Sequence, residues 1–422
     1  MKTKIRKENI KVGFCLLGIF LIFYACADQN EEKDAGQKKQ DAGPGGDGDV
    51  DADSDTDTDN DTDTDTDSDG DADSDAGEDG GNECNPVDEG GCKWRLMFEW
   101  PQDLSDIWGR SSDDIFAVTS PRWPDDEFPH SKHCAVLHYD GDSWEKVEIS
   151  EDEYMACVTM SIWGTDNNEV IIGGREGSVI IYDGNEWSWL AAYFLSNNIV
   201  DIWGTSVSDV YALSVADFNL SGIIWHYNGL EWAKIYDQEN HVPLKIWGSD
   251  SDNIYTVAGL KQAGMDVLQD LLLHYDGESW DADDVIQEAD TTINDIWGAS
   301  DTDIFMSSVQ YDLVDYSETS TIWHFDGSTW TRLKNNITEE IVELIGGSSA
   351  EDVYFSSRIW DAVDKELKET VIYHYDGVDF SRTELDCPWV VTGLWAGSED
   401  EAFASGYELG SKKGVILHYS CD

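Results

Sequence analysis

The phrase Ile-Trp-Gly recurs along this chain, at Ile107-Trp108-Gly109, Ile162-Trp163-Gly164, Ile202-Trp203-Gly204, Ile246-Trp247-Gly248 and Ile296-Trp297-Gly298. Weaker copies stand at Ile345-Gly346-Gly347 and Leu394-Trp395-Ala396. The spacing averages about 48 residues, close to the length of one β-propeller blade. Six residues beyond each tryptophan position comes an acid or amide: Asp114, Glu169, Asp209, Asn253, Asp303, Asp352 and Glu401. Short apolar runs such as Ile115-Phe116-Ala117-Val118 follow it. A phrase His-Tyr-Asp-Gly-x-x-Trp comes later, from His138 to Trp144 and from His274 to Trp280. It returns with small changes from His226 to Trp232 and from His324 to Trp330, and the sixth copy ends in Phe380.

Each repeat reads as four short strands, rich in β-branched and aromatic residues and bounded by Gly, Asp, Asn or Ser. Asp-Gly or Asn-Gly supplies the positive φ needed between the third and fourth strands. A four-stranded sheet has two apolar faces to cover, and radial packing of blades covers both. The last repeat stops after its third strand, Gly414 to Tyr419, while Gly91 to Met97 copies a fourth. The first segment therefore completes the last blade, and no strand edge stays open at the seam. The expected fold is all-β: a seven-bladed propeller of four-stranded blades over residues 84–422, its ring closed by the N-terminal strand.

On these phrases the chain resembles the repeat propellers of bacterial secreted proteins and lipoproteins. It has a more distant likeness to the Asp-box propellers of sialidase type and to photosystem-assembly propellers. The Asp-box spacing is not met, because glycine directly follows the aspartate in Asp140-Gly141 and its counterparts. Tryptophan–aspartate dipeptide repeats are missing, and a kelch-like double glycine occurs only at Gly173-Gly174 and Gly346-Gly347. The resemblance implies a fold and carries no activity with it.

The N-terminus carries Lys2, Lys4, Arg6, Lys7 and Lys11, then the apolar run from Val12 to Ala25, then Cys26. That order describes a secretory signal over residues 1–25. The apolar run is short of the ~20 residues that span a bilayer. Phe23-Tyr24-Ala25-Cys26 resembles a bacterial lipobox, with Phe23 in the place of the usual leucine and a bulky Tyr24. The resemblance implies lipidation at Cys26, and Ala27 after it implies outer-membrane sorting. The expected location is the cell envelope, as an outer-membrane lipoprotein or at the extracellular surface.

Residues 26–83 read as a linker. Every odd position from Asp47 to Asp75 is aspartate. Such a run has no apolar face and repels itself, so an extended, disordered spacer is expected. Asp65 to Gly70 matches the first half of a calcium loop, but the twelfth position is Ala76 rather than glutamate. Calcium binding there is expected to be weak and non-specific, and no other cofactor is expected.

Formal net charge is −62, and the chain beyond the linker is itself strongly acidic. Phosphate backbones need Lys and Arg to displace counterions, so nucleic acid is excluded as a partner. Adsorption to anionic headgroups is excluded in the same way, leaving the lipid anchor as the only membrane contact.

Six cysteines remain besides Cys15 and Cys26, an even number that favours disulfides in an exported chain. Cys92 and Cys421 stand at the two lips of the seam and are expected to pair. Cys134 with Cys157 is the pairing expected across the first blade boundary, and other connectivity stays open. His138, His226, His274, His324, His374 and His418 repeat at one strand position, with Ile181 in the second repeat. Equivalent outer positions lie too far apart around a ring to share a metal, whose ligand bonds are about 2 Å. His130-x-x-His133-Cys134 is a tighter cluster, for which zinc and a loop with a disulfide are the two readings.

Repeat length varies between the second and third strands, at 120–133, 214–221, 258–270, 307–319 and 357–369. Strand alternation places these loops on one face and the short turns on the other. The long loops carry Trp123, Phe128, Phe218, Tyr311, Tyr316 and Trp360 beside Asp125, Asp126, Asp312, Asp315 and Asp361. Loops on a rigid scaffold concentrate binding residues, and aromatics favour hot spots and sugar stacking. The expected function is non-catalytic binding or scaffolding, with a cell-surface protein or polysaccharide as partner. No Gly-x-Ser-x-Gly elbow and no sialidase-like arginine cluster is found. The alternative is an envelope hydrolase or lyase using paired carboxylates.

Overall fold

The computed structural model describes residues 92–119, 135–149, 159–191, 195, 197–215, 221–260, 269–283, 291–312, 317–360, 367–385, 387–398, 400–411 and 413–421. The signal segment, the aspartate run, Cys134 and Cys157 lie outside these residues, as do Trp123, Phe128, Phe218 and Tyr316. The described residues form seven antiparallel four-stranded sheets. Among the described residues, no helix is long and apolar enough to cross a membrane.

The seven inner strands are Leu104–Ser111, Thr159–Thr165, Asn198–Ser206, His241–Asp250, Thr291–Ser300, Ile341–Ser349 and Trp389–Ser398, and they number the blades one to seven. Six blades are built from consecutive strands; the seventh takes Lys93–Trp100 as its outermost strand. That strand pairs antiparallel with Gly414–Ser420, Lys93 opposite Ser420 and Trp100 opposite Gly414. Cys92 and Cys421 are disulfide-bonded at its end, closing the seam as the sequence predicts. Cys387 is also disulfide-bonded, to a partner outside the described residues.

Second strands are covered on both sides by neighbouring strands and blades, so their apolar runs do not alternate. Ile115, Phe116, Ala117 and Val118 are all buried, as are Val353, Tyr354 and Phe355. Burying one such large side chain contributes roughly 1.5–3 kcal/mol.

Ile-Trp-Gly is a contact between blades. A Cβ added to Gly164 would lie 2.5 Å from the Trp108 ring, and one on Gly298 would lie 2.5 Å from Trp247. Gly109 meets Trp395, Gly248 meets Trp203 and Gly347 meets Trp297 in the same way. In these five pairs the tryptophan ring of one blade packs against the glycine of the next, whereas a Cβ on Gly204 would meet the Asp209 backbone instead. Blade six has Gly346 at the tryptophan position, and blade seven has Ala396 where the others have glycine. Where the ring is missing, a methyl group is tolerated.

The Asp-Gly turn is a four-residue loop. Asp140 Oδ1 accepts the N–H groups of Asp142 and Ser143, and Gly141 adopts φ +91°. Tyr139 pairs across the turn with Trp144, their rings stacked with centroids 5.4 Å apart. The absent Cβ of Gly141 would fall 2.9 Å from Cβ of Asp113, in the turn between the first two strands. The two short turns of each blade therefore share one face. The ends of the second strands and starts of the third occupy the opposite face.

Candidate functional site

Two landmarks that the sequence shows separately meet in space. In blade one His138 Nε2 lies 2.7 Å from Asp114 Oδ1, and its ring stacks on Phe116 at 4.3 Å. The same arrangement joins His226 to Asp209 at 2.6 Å, His274 to Asn253 at 2.7 Å and His374 to Asp352 at 2.8 Å. His324 with Asp303 and His418 with Glu401 are longer, at 3.3 Å each. In blade six Ser348 donates to the other oxygen of Asp352, so the carboxylate stands between hydroxyl and imidazole. A nucleophile–base pair needs the imidazole to face the hydroxyl. Repetition in six blades and this order make the pairs architectural. Among the described residues the one grouping of metal-ligand type is Cys92, Asp400 and Cys421, and its two sulfurs are bonded to each other.

The second constellation stands just before Ile-Trp-Gly, where the inner strands of blades one, three and five carry Asp106, Asp201 and Asp295. A bulge in each strand at this point breaks the ladder and re-aims the side chain. Asp106 accepts the N–H of Ile107 at 2.9 Å and that of Ile162 in blade two at 3.0 Å. Asp201 clasps Ile246 of blade four at 2.9 Å, and Asp295 clasps Ile345 of blade six at 2.8 Å. Lys245 of blade four lies 3.7 Å from Asp295. Its charge also acts on Asp201 and Asp106, so residues of four blades converge at the ring's centre. Burial pushes Asp106 up to about 7 and Asp201 up to about 6, against the opposing pull of their N–H donors and Lys245. For Lys245, burial works against the charge, but Asp295, Asp201 and Asp106 outweigh it and hold the ammonium above its ordinary range. These carboxylates are occupied by backbone donors of two blades each, which leaves them poorly placed for acid–base work on a substrate.

On the long-loop face of blades four to seven the repeat gives way to charged residues that most other blades lack. Arg358, near the end of the second strand Asp352–Trp360, donates to Glu343 near the start of the inner strand. Both side chains are buried, at 7% and 6% exposure. Burial opposes the guanidinium charge, yet Glu343 more than compensates and raises the Arg358 pKa. Trp360 lies over Arg358, with 5.6 Å between guanidinium carbon and ring centre, and packs against Leu367, Val390 and Tyr407. Tyr311 and Glu318 stand at the corresponding end of blade five. Burial first, then Glu343, raises the Glu318 carboxyl; burial first, then Glu318, raises the Tyr311 phenol. Asp270 of blade four is 3% exposed and is pushed up to about 7 by burial. Its Oδ2 accepts the N–H of Ile293 at 2.7 Å, while Oδ1 has no hydrogen-bond partner among the described residues.

Of the six aromatics expected at a binding face, the described residues include Tyr311 and Trp360, both half-buried and both beside this network. Trp360 also packs its own blade, so part of its surface is structural. Arg358, Glu343, Glu318 and Asp270 are absent from the sequence-level expectation. The signal for Arg358 is weak: blades three to five have Val215, Gly259 and Val309 at its position, but blade two has Arg175 there.

No known family model matches the chain, and no curated protein matches it significantly. Solved structures do. The chain is similar to YCF48 from Cyanidioschyzon merolae, with TM-score 0.53 and 12% identity over 78% of this chain and 98% of that one. A structure described as YCF48 bound to D1 peptide gives 0.52 and 13%, over 80% and 99%. The GH74 xyloglucanase from Xanthomonas campestris gives 0.50 and 11%, over 77% of this chain and 55% of that one. At such identities the likeness shows the propeller fold alone.

Proposed function

We propose that this propeller is a non-catalytic recognition or scaffold module of the cell envelope, engaging a protein or polysaccharide through its long-loop face. One observation carries the reading: the repeat is kept on the short-turn face and abandoned on the other. There, a buried Arg358–Glu343 pair, Trp360, Tyr311 and Glu318 come together across blades five and six. A structure built only to close a ring has no need of such departures. One structural neighbour is described as bound to a peptide, which favours a protein segment as the occupant. Lipidation at Cys26 and the acidic linker would hold this face away from a membrane, and Trp123, Phe128, Phe218 and Tyr316 are proposed to extend it.

The test uses the full oxidised chain on peptide and glycan arrays, beside Tyr311→Ser and Trp360→Gln variants whose melting curves confirm folding. Ligands retained by the wild type and lost by both variants support the reading. Equal binding by all three chains removes it.

A further inference from the structure

On the opposite, short-turn face, a groove of about 800 Å³ opens between blades four and five. Half-buried Trp247 and Phe325 and the buried Tyr255 are among its lining residues, with Gly248, Gly298 and Gly327. Asp250, Asp252 and Asp301 stand at its rim, and no lysine, arginine or histidine is among its lining residues. We propose that this groove binds a cationic side chain, an arginine or lysine of a partner polypeptide, independently of the long-loop face.

The argument rests on charge and shape together. Aligning the repeats gives three rim positions at every junction: two from one blade's first turn and one from the next blade's. Blades four and five fill them with Asp250, Asp252 and Asp301. The same positions hold Ser206, Ser208 and Ser251 between blades three and four, and Ser300, Thr302 and Ala350 between five and six. Between blades one and two they are Ser111, Asp113 and Asn167, and between two and three Asp166, Asn168 and Val207. The remaining junctions carry Ser349, Glu351 and Glu399, then Ser398, Asp400 and Ser112. Only one junction is acidic at all three, so the rim exceeds the acidic background of the chain.

These acids also stand outside the repeated histidine contacts. In five of the six blades with a repeated histidine an acid engages it, but His274 bonds Asn253, which donates in turn to Ser249. The turn adds two carboxylates beyond that pair, of which Asp250 accepts the Ser251 N–H at 2.7 Å through Oδ1. Aromatic faces attract cations most strongly where water is partly excluded, and carboxylates at the rim add long-range attraction. A flat guanidinium suits both walls and rim better than an ammonium.

The probe is the tripeptide acetyl-Gly-Arg-Gly-amide, titrated calorimetrically into the full oxidised chain beside its neutral citrulline counterpart. Saturable one-to-one binding of the arginine peptide alone is expected. Asp250→Asn with Asp301→Asn should weaken it about tenfold or more, from loss of two partly exposed charge contacts. Asp142→Asn with Asp379→Asn makes the same change of net charge on exposed turns of other blades and should leave affinity unchanged. Equal weakening by the two pairs, or binding of citrulline as tight as arginine, overturns the proposal. Absence of saturable binding overturns it as well.

Discussion

Asp270 offers a sharp electrostatic test. Its carboxyl is 3% exposed, holds one backbone N–H and, among the described residues, has an oxygen without a hydrogen-bond partner. Burial raises its pKa from 3.8 to about 7. A folded value above the unfolded one means that the folded chain binds the extra proton between those limits. Its stabilising effect is therefore complete below the unfolded pKa and is lost as pH rises through the folded one. Linkage gives a loss of about 2–3 kcal/mol between pH 5 and pH 8 from this residue. Asp270→Asn keeps the oxygen that accepts from Ile293 but cannot ionise. At pH 5 the variant should match the wild type or fall slightly below it, since a buried amide N–H₂ without a partner costs about 1–3 kcal/mol. Relative to wild type it should gain about 2–3 kcal/mol by pH 8. Urea unfolding of both chains at the two pH values measures the difference. A gap independent of pH, or one that widens against the variant at pH 8, would show that the carboxylate is ionised and satisfied, refuting the reasoning.

Reducing the Cys92–Cys421 bond, or replacing both residues by serine, should lower stability by up to ~6 kcal/mol on chain entropy, read as a lower urea midpoint. Gly298→Ala forces a methyl into the Trp247 ring and should cost about 1–3 kcal/mol. Ala396→Gly, where the partner position in blade six carries no tryptophan, should change stability by no more than about 1 kcal/mol, and parallel melts compare the two. Arg358→Met leaves Glu343 buried without a partner and should cost about 3–5 kcal/mol; adding Glu343→Leu should restore most of it.

Much of the fold is legible because each repeat meets the same surroundings. A second strand packed on both sides must be apolar throughout, and a turn needing positive φ must present glycine, so both recur at fixed spacing. The seam is legible for the same reason, since Lys93–Trp100 carries the pattern of a fourth strand at the wrong end of the chain. Pairings between strands are harder to see. Asp114 and His138 are each visible, but their bond depends on the register that sets Phe116 opposite His138. The missing tryptophan at Gly346 and the alanine at Ala396 look like two lapses in a motif, yet they fall at the two partner positions of one blade junction. Asp106, Asp201 and Asp295 fall one residue before the phrase that defines the repeat, and alternate with Ser161, Lys245, Leu344 and Gly393. Glu343 belongs to no repeat, Arg358 shares its position only with Arg175, and only tertiary packing joins the pair.

The central claim is that recognition belongs to the long-loop face. Hydrogen–deuterium exchange on the full chain, with and without a saturating ligand from the arrays, tests it most directly. The account predicts slowed exchange at the ends of the second strands and starts of the third, around Tyr311, Glu318, Arg358 and Trp360. Slowed exchange confined to the Asp-Gly turns, such as Asp140 to Ser143 and Asp326 to Thr329, would place that ligand on the opposite face and contradict it.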